Sequence, residues 1–127
     1  MISLLLNIGN LLVVIAAISN ATMDILKDNF NGSVFSELNK NFWNPYFSWK
    51  NKYKNLDKLQ GRKYLTYLSG FTDTFSDAWH IAKFIMIVCI IIGFCLDNIL
   101  SWQSLLIKWI LWGITFKLFY SNVLIKK

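Results

Sequence analysis

The eighteen residues from Trp79 to Leu96, WHIAKFIMIVCIIIGFCL, form the most apolar run in the chain, and from Phe84 onward they carry neither charge nor proline. At 1.5 Å per helical residue they reach about 27 Å, close to the roughly 30 Å of a bilayer's hydrocarbon. The pattern predicts a membrane-spanning helix around which the other segments are arranged. A second apolar stretch covers Met1 to Ala21 and is interrupted by Asn7, Gly9 and Asn10. Two asparagines at i and i+3, with a glycine between them, suit close helix packing in lipid. A secretory signal peptide is the rival reading, because Ser19-Asn20-Ala21 is a small-x-small pattern; the missing Lys or Arg ahead of the run speaks against it. The third stretch, Ser104 to Ile125, is long enough to span but contains Lys108 and Lys117.

The intervening residues are of another character. Asn29, Asn31, Gly32 and Ser33 mark a turn, and Pro45 rules out one continuous helix beyond it. Phe42, Trp43, Tyr46, Phe47, Trp49 and Tyr53 alternate with Lys40, Lys50, Lys52 and Lys54. Such a segment fits the headgroup level of a membrane, its rings in the interface and its ammonium groups in water. Trp43, Trp49, Lys50, Lys52, Tyr53 and Lys54 are its candidate residues for membrane contact or for docking a cytoplasmic partner. Further on, Tyr64, Leu65, Tyr67, Leu68, Phe71, Phe75 and Trp79 recur at helical spacing. They predict an amphipathic helix that enters the span directly or meets it at a bend near Gly70. The expected organisation is a first transmembrane helix over 1–21, a basic aromatic interfacial segment over 22–63, and a lead-in helix with a two-helix transmembrane hairpin over 64–127.

Composition supports this division. Hydrophobic residues make up 55% of the chain and charged residues only 16%, against about a quarter charged in soluble domains. The net charge of +6 is concentrated in Lys27, Lys40, Lys50, Lys52, Lys54, Lys58, Arg62 and Lys63, with Lys126 and Lys127 at the end. Basic clusters beside apolar spans favour anionic lipid headgroups as partner over nucleic acid. By the positive-inside rule the middle segment and the C-terminus lie in the cytoplasm and the N-terminus outside. That requires an odd number of spans in the inner (cytoplasmic) membrane, and three fits. The expected fold class is an all-α, multi-pass integral membrane protein.

Candidate chemistry is sparse. Cys89 and Cys95 are six residues apart, so on one helix they point in nearly opposite directions and do not pair. Asp73, Asp77 and His80, at i, i+4 and i+7, would share one helix face, as a proton-handling or subunit-contact site or, with ligands from other helices, a metal site. In the plainer alternative Asp77 caps or orients His80 and Lys83 pairs with a carboxylate. Lys108 and Lys117 either snorkel to an interface or line the lumen of an oligomer. No phosphate-cradling glycine loop and no nucleophile elbow is present, so neither an enzyme nor a cofactor is expected.

Trp43-Asn44-Pro45, then Ser48 to Asn55 (SWKNKYKN), then Thr72-Asp73 with Asp77-Ala78-Trp79-His80 resemble a family of small uncharacterised bacterial and phage membrane proteins. That family pairs W-N-P-x-x-S-W-K-N-K-Y with a downstream T-D-x-W-H ahead of a hydrophobic span. The second phrase is stretched here, and Asp77 is the closer match to its acidic position. The resemblance covers about residues 42 to 82 and implies an integral membrane protein, without activity, substrate or cofactor. The leading functional expectation is a self-assembling, homo-oligomeric membrane protein that forms a pore or perturbs the bilayer, as a phage-related or defence effector. A non-conducting accessory subunit that docks a cytoplasmic partner is the alternative, and a metal-dependent membrane enzyme the third.

Overall fold

The computed structural model describes residues 7–63, 72–96 and 101–126. The described residues are helical throughout, apart from turns and two isolated antiparallel bridges. Three long helices dominate: α1 (Ile8–Asp28), α2 (Ala78–Cys95) and α3 (Trp102–Leu118). At 21 and 18 residues, α1 and α2 are long and apolar enough to cross a membrane. The third helix has 17 residues and continues as a π-helical turn over Phe119–Val123.

Each long helix starts on a side-chain cap, which supplies an acceptor for an amide that the first turn leaves unpaired. Asn7 Oδ1 accepts from the Asn10 N–H at 2.7 Å, Asp77 Oδ1 from the His80 N–H at 2.9 Å and Ser101 Oγ from the Ser104 N–H at 3.2 Å. The first helix runs past the expected boundary at Ala21 and takes in Asp24, Lys27 and Asp28. Its apolar-and-small face continues through Met23, Ile25 and Leu26, all buried, so the polar residues ride on the opposite side of a helix already committed.

That first helix, and not the more apolar α2, is the organising element. Both α2 and α3 pack along it and scarcely touch each other. Gly93 of α2 lies so near α1 that a methyl there would sit 3.1 Å from the Gly9 carbonyl oxygen and 3.3 Å from Leu12 Cβ. At the other end Leu26 and Phe30 cluster with Ala78, while Ala21 and Ile25 cluster with Leu124. The path is therefore up, down, up, with α2 antiparallel to its neighbours. The end of α1, the start of α2 and the end of α3 share one end of the molecule with residues 29–63.

Those intervening residues fold as a head of single turns. Phe30–Gly32 and the helical turns Lys40–Trp43 and Pro45–Ser48 lead into 3-10 turns at Trp49–Lys52, Lys54–Leu56 and Lys58–Gln60. Asn44 closes one helical turn and caps the next, whose first residue is Pro45, a position where the missing N–H costs nothing. The C-terminal strand-like residues lock the head down: the Val34 N–H donates to Leu124 O and the Lys126 N–H to Gly32 O, each at 2.9 Å.

The lead-in helix expected over Tyr64 to His80 is interrupted just ahead of α2. Residues 64–71, with the proposed bend at Gly70, lie outside the described residues; Thr72 and Asp73 are helical, and a turn and bend over Thr74–Asp77 follow. Asp77 then adopts extended backbone (φ −158°, ψ 165°) as the cap of α2. An aspartate competes for the amides of a first turn, which ends helical periodicity there.

Candidate functional site

Three features hold the chemistry-bearing residues. The first is the junction of head and α2. Asp77 is 2% exposed, and its carboxylate faces His80 Nδ1 at 2.8 and 2.9 Å. Ser76 Oγ also donates to Asp77 Oδ2 at 3.3 Å. Asp73 is elsewhere: it is ion-paired with Arg62 at 2.9 Å. The expected face of Asp73, Asp77 and His80 is thus divided into an Asp77–His80 pair and an Asp73–Arg62 pair, because no helix connects positions 73 and 77. Among the described residues no three His, Cys, Asp or Glu side chains converge in a way that would hold a metal ion. Among the described residues Lys83 is ion-paired with no carboxylate; its Nζ lies 5.3 Å from the centroid of the Trp79 ring.

The head is the second feature. Lys50 lies over Trp49 at 5.7 Å and Lys52 over Tyr53 at 5.5 Å, so the alternation of rings and cations becomes cation–π pairing within the segment. Trp43 stacks on Phe35 at 4.9 Å and is drawn inward. Trp49 and Lys50 stay exposed, as do Tyr46, Phe47 and Lys54. Asn51 ties the head to α2, donating to Asn41 O at 2.6 Å and Ser76 O at 3.0 Å. Glu37, held against Lys126, has its carboxyl pulled below the ordinary range by that hydrogen bond and charge. Sequence pattern alone could not find Asn51 or Arg62, since their partners lie across the fold.

The third feature is Lys108. Its side chain is 2% exposed and turned into the helices of its own chain, where Nζ donates to Asn10 Oδ1 at 2.9 Å and to Ser104 Oγ at 3.3 Å. An apolar cleft of about 360 Å³, lined by Val13, Ile90, Phe94 and Trp112 among others, adjoins it. Lys117 is different: it is exposed, in the last turn of α3, at the end that carries the head. The two lysines therefore do not form one row. Cys89 is buried and Cys95 exposed, both as free thiols.

Compared with protein-family models, with curated proteins and with solved structures, the chain matches none.

Proposed function

We propose that this protein is a three-span inner-membrane protein in which the helices form a non-conducting anchor and the basic aromatic head, at the cytoplasmic face, is the working surface that meets an acidic partner. One observation carries the reading: away from the head end, the helices turn mostly small and polar residues inward and large apolar ones outward. From Gly9 to Ala21 the α1 positions turned inward are Gly9, Asn10, Val13, Ala16, Ala17, Ser19 and Ala21, and those of α2 and α3 are Ala78, Ala82, Cys89 and Gly93, and Lys108 and Thr115; the larger Met23, Ile25 and Leu26 are buried in the last turns of α1, toward the head. Those turned outward are Leu11, Ile87, Ile91, Leu106, Trp109 and Ile114. Small and hydrogen-bonding residues inside, with large apolar ones outside, is the arrangement lipid favours, because burial of leucine gains nothing there while close backbone approach does. The anchor is preferred to the lysine-lined pore because Lys108 is engaged by α1 of the same chain, and Lys117 sits where its ammonium reaches the headgroups.

The test is reconstitution of the pure protein in liposomes with an entrapped dye. The expected result is protein that resists extraction by alkaline carbonate and vesicles that stay sealed, for wild type and for Lys117→Leu alike. Release that Lys117→Leu abolishes would restore the pore. Extraction by carbonate would remove the membrane reading itself.

A further inference from the structure

Within the head, residues 53–62 form a closed finger. Tyr53 and Arg62 face each other in an antiparallel bridge, the Lys54 N–H donates to Gly61 O at 2.9 Å and the Lys63 N–H to Lys52 O at 3.0 Å. Inside this neck, Asn55 and Leu56 both have positive φ (49° and 61°), as does Gly61 (76°). Leucine rarely occupies that region, since its Cβ crowds the backbone. Asp57 accepts from the Leu59 N–H at 2.9 Å, and Asn55 Nδ2 donates to Gln60 Oε1 at 2.7 Å, so the finger's polar groups are largely satisfied from within. What it turns outward is apolar and basic: Leu59 is 94% exposed, and Leu56, Lys54, Lys58 and the adjoining Lys63 are exposed as well.

We infer that this finger is a lipid-contacting element that lays Leu56 and Leu59 into the anionic leaflet at the head end of the bundle, with Lys54 and Lys58 on the headgroup phosphates. The inference rests on the membrane-spanning reading above. Charge complementarity commits it to that occupant: apart from the Asp57 that caps Leu59, the finger has no acidic residue, and its two lysines, with Lys63 just beyond the neck, match a negative surface. Position supports it too. Arg62 is tied to Asp73, four residues ahead of the cap of α2. Leu59 is three residues from Arg62, a reach of about 10 Å at most, comparable to the roughly 5–8 Å headgroup layer on each side of the hydrocarbon. Two exposed leucines interspersed with exposed lysines have the composition of interfacial anchors, whose apolar part sinks to the acyl boundary while the ammonium groups stay in the headgroups.

The experiment uses the full chain with Cys89→Ala and Cys95→Ala, spin-labelled at Leu59→Cys and separately at Ile91→Cys. Accessibility to oxygen and to a water-soluble nickel chelate is measured in vesicles of phosphatidylcholine alone and with phosphatidylglycerol added. In the anionic vesicles, the label at 59 is expected to gain oxygen contact and lose nickel contact. Lys54→Gln with Lys58→Gln should return it to water, shifting the immersed-to-free ratio by on the order of 25-fold, at about fivefold per lysine. A label at 59 that stays in water on both vesicles, while the one at 91 reads hydrocarbon, overturns the finger and leaves an acidic protein surface as the head's partner. A label at 91 that reads water overturns the membrane reading instead.

Discussion

An ammonium at mid-bilayer costs about 2.5–3.5 kcal/mol on insertion scales, and a hydrogen bond to a charged group returns about 1.5–3 kcal/mol. Lys108, with Asn10 and Ser104 as acceptors, is therefore held near balance by partners that only the folded chain supplies. Asn10→Ala should destabilise the bundle by about 2 kcal/mol, since it leaves the cation short of an acceptor. Adding Lys108→Met should recover most of that loss, because an apolar side chain of similar length needs no partner. Unfolding titrations in mixed micelles check both, and additive losses in the double variant would dissolve the pair. The sequence made each residue conspicuous as a polar intrusion in an apolar run, but not their meeting, which depends on how α1 and α3 are rotated. The same holds for Asp77 and His80: the pairing was legible as one alternative, whereas the assignment of Asp73 to Arg62 was not.

Close approach of α1 and α2 turns on one missing side chain. Gly93→Ala would place its methyl 3.1 Å from the Gly9 carbonyl oxygen, tighter than a packed contact accepts. A loss of about 1–3 kcal/mol is expected, typical of overpacking. Gly113 on α3 has open space around it, so Gly113→Ala should be neutral or stabilise by up to about 1 kcal/mol through helix propensity. Thermal unfolding in the same detergent compares them, and equal losses would contradict the packing. Another element-level prediction concerns the clasp between the head and the C-terminal residues. Lys126 keeps the Glu37 carboxyl below its ordinary value, so the clasp's contribution is complete above the normal carboxylate range and fades as pH falls through the lowered value. The ion pair is solvent-exposed, so the effect is small, and it is best read from hydrogen exchange at the Val34 and Lys126 amides. Glu37→Gln should abolish the pH dependence. Helix existence was legible from hydropathy for all three long helices. Their ends were not, because caps such as Asn7 and Asp77 act through a single side chain, and a helical spacing that runs on to Trp79 gives no sign of the break at Asp77.

Across the whole molecule, charge is sorted by end. Among the described residues every cation but Lys108 lies in the head, in the C-terminal residues or toward their end of a helix, while Cys95 closes α2 at the opposite end. Under the proposed topology an impermeant maleimide should label Cys95 from outside, and protease should trim the head only from the cytoplasmic side. The reverse pattern in sealed vesicles would invert the topology. The gathering of cations at one end was readable from the lysine distribution, a property of composition along the chain. That α1, less apolar than α2, stands in the middle was not readable, because burial in the bundle selects small residues and so lowers the very hydropathy used to rank the spans. Its central position has a consequence for biosynthesis. Asn10 accepts from a lysine 98 residues further along the chain, and a ribosome adding about 5–20 residues per second needs roughly 5–20 s to produce it. For all of that interval the side of α1 that meets α3, Asn10 included, lacks its partner helix, even after α2 has been made. The nascent helix must be sheltered by the insertion machinery or wait in the bilayer with that face uncovered, and truncations ending before α3 should be the forms that quality-control proteases remove first.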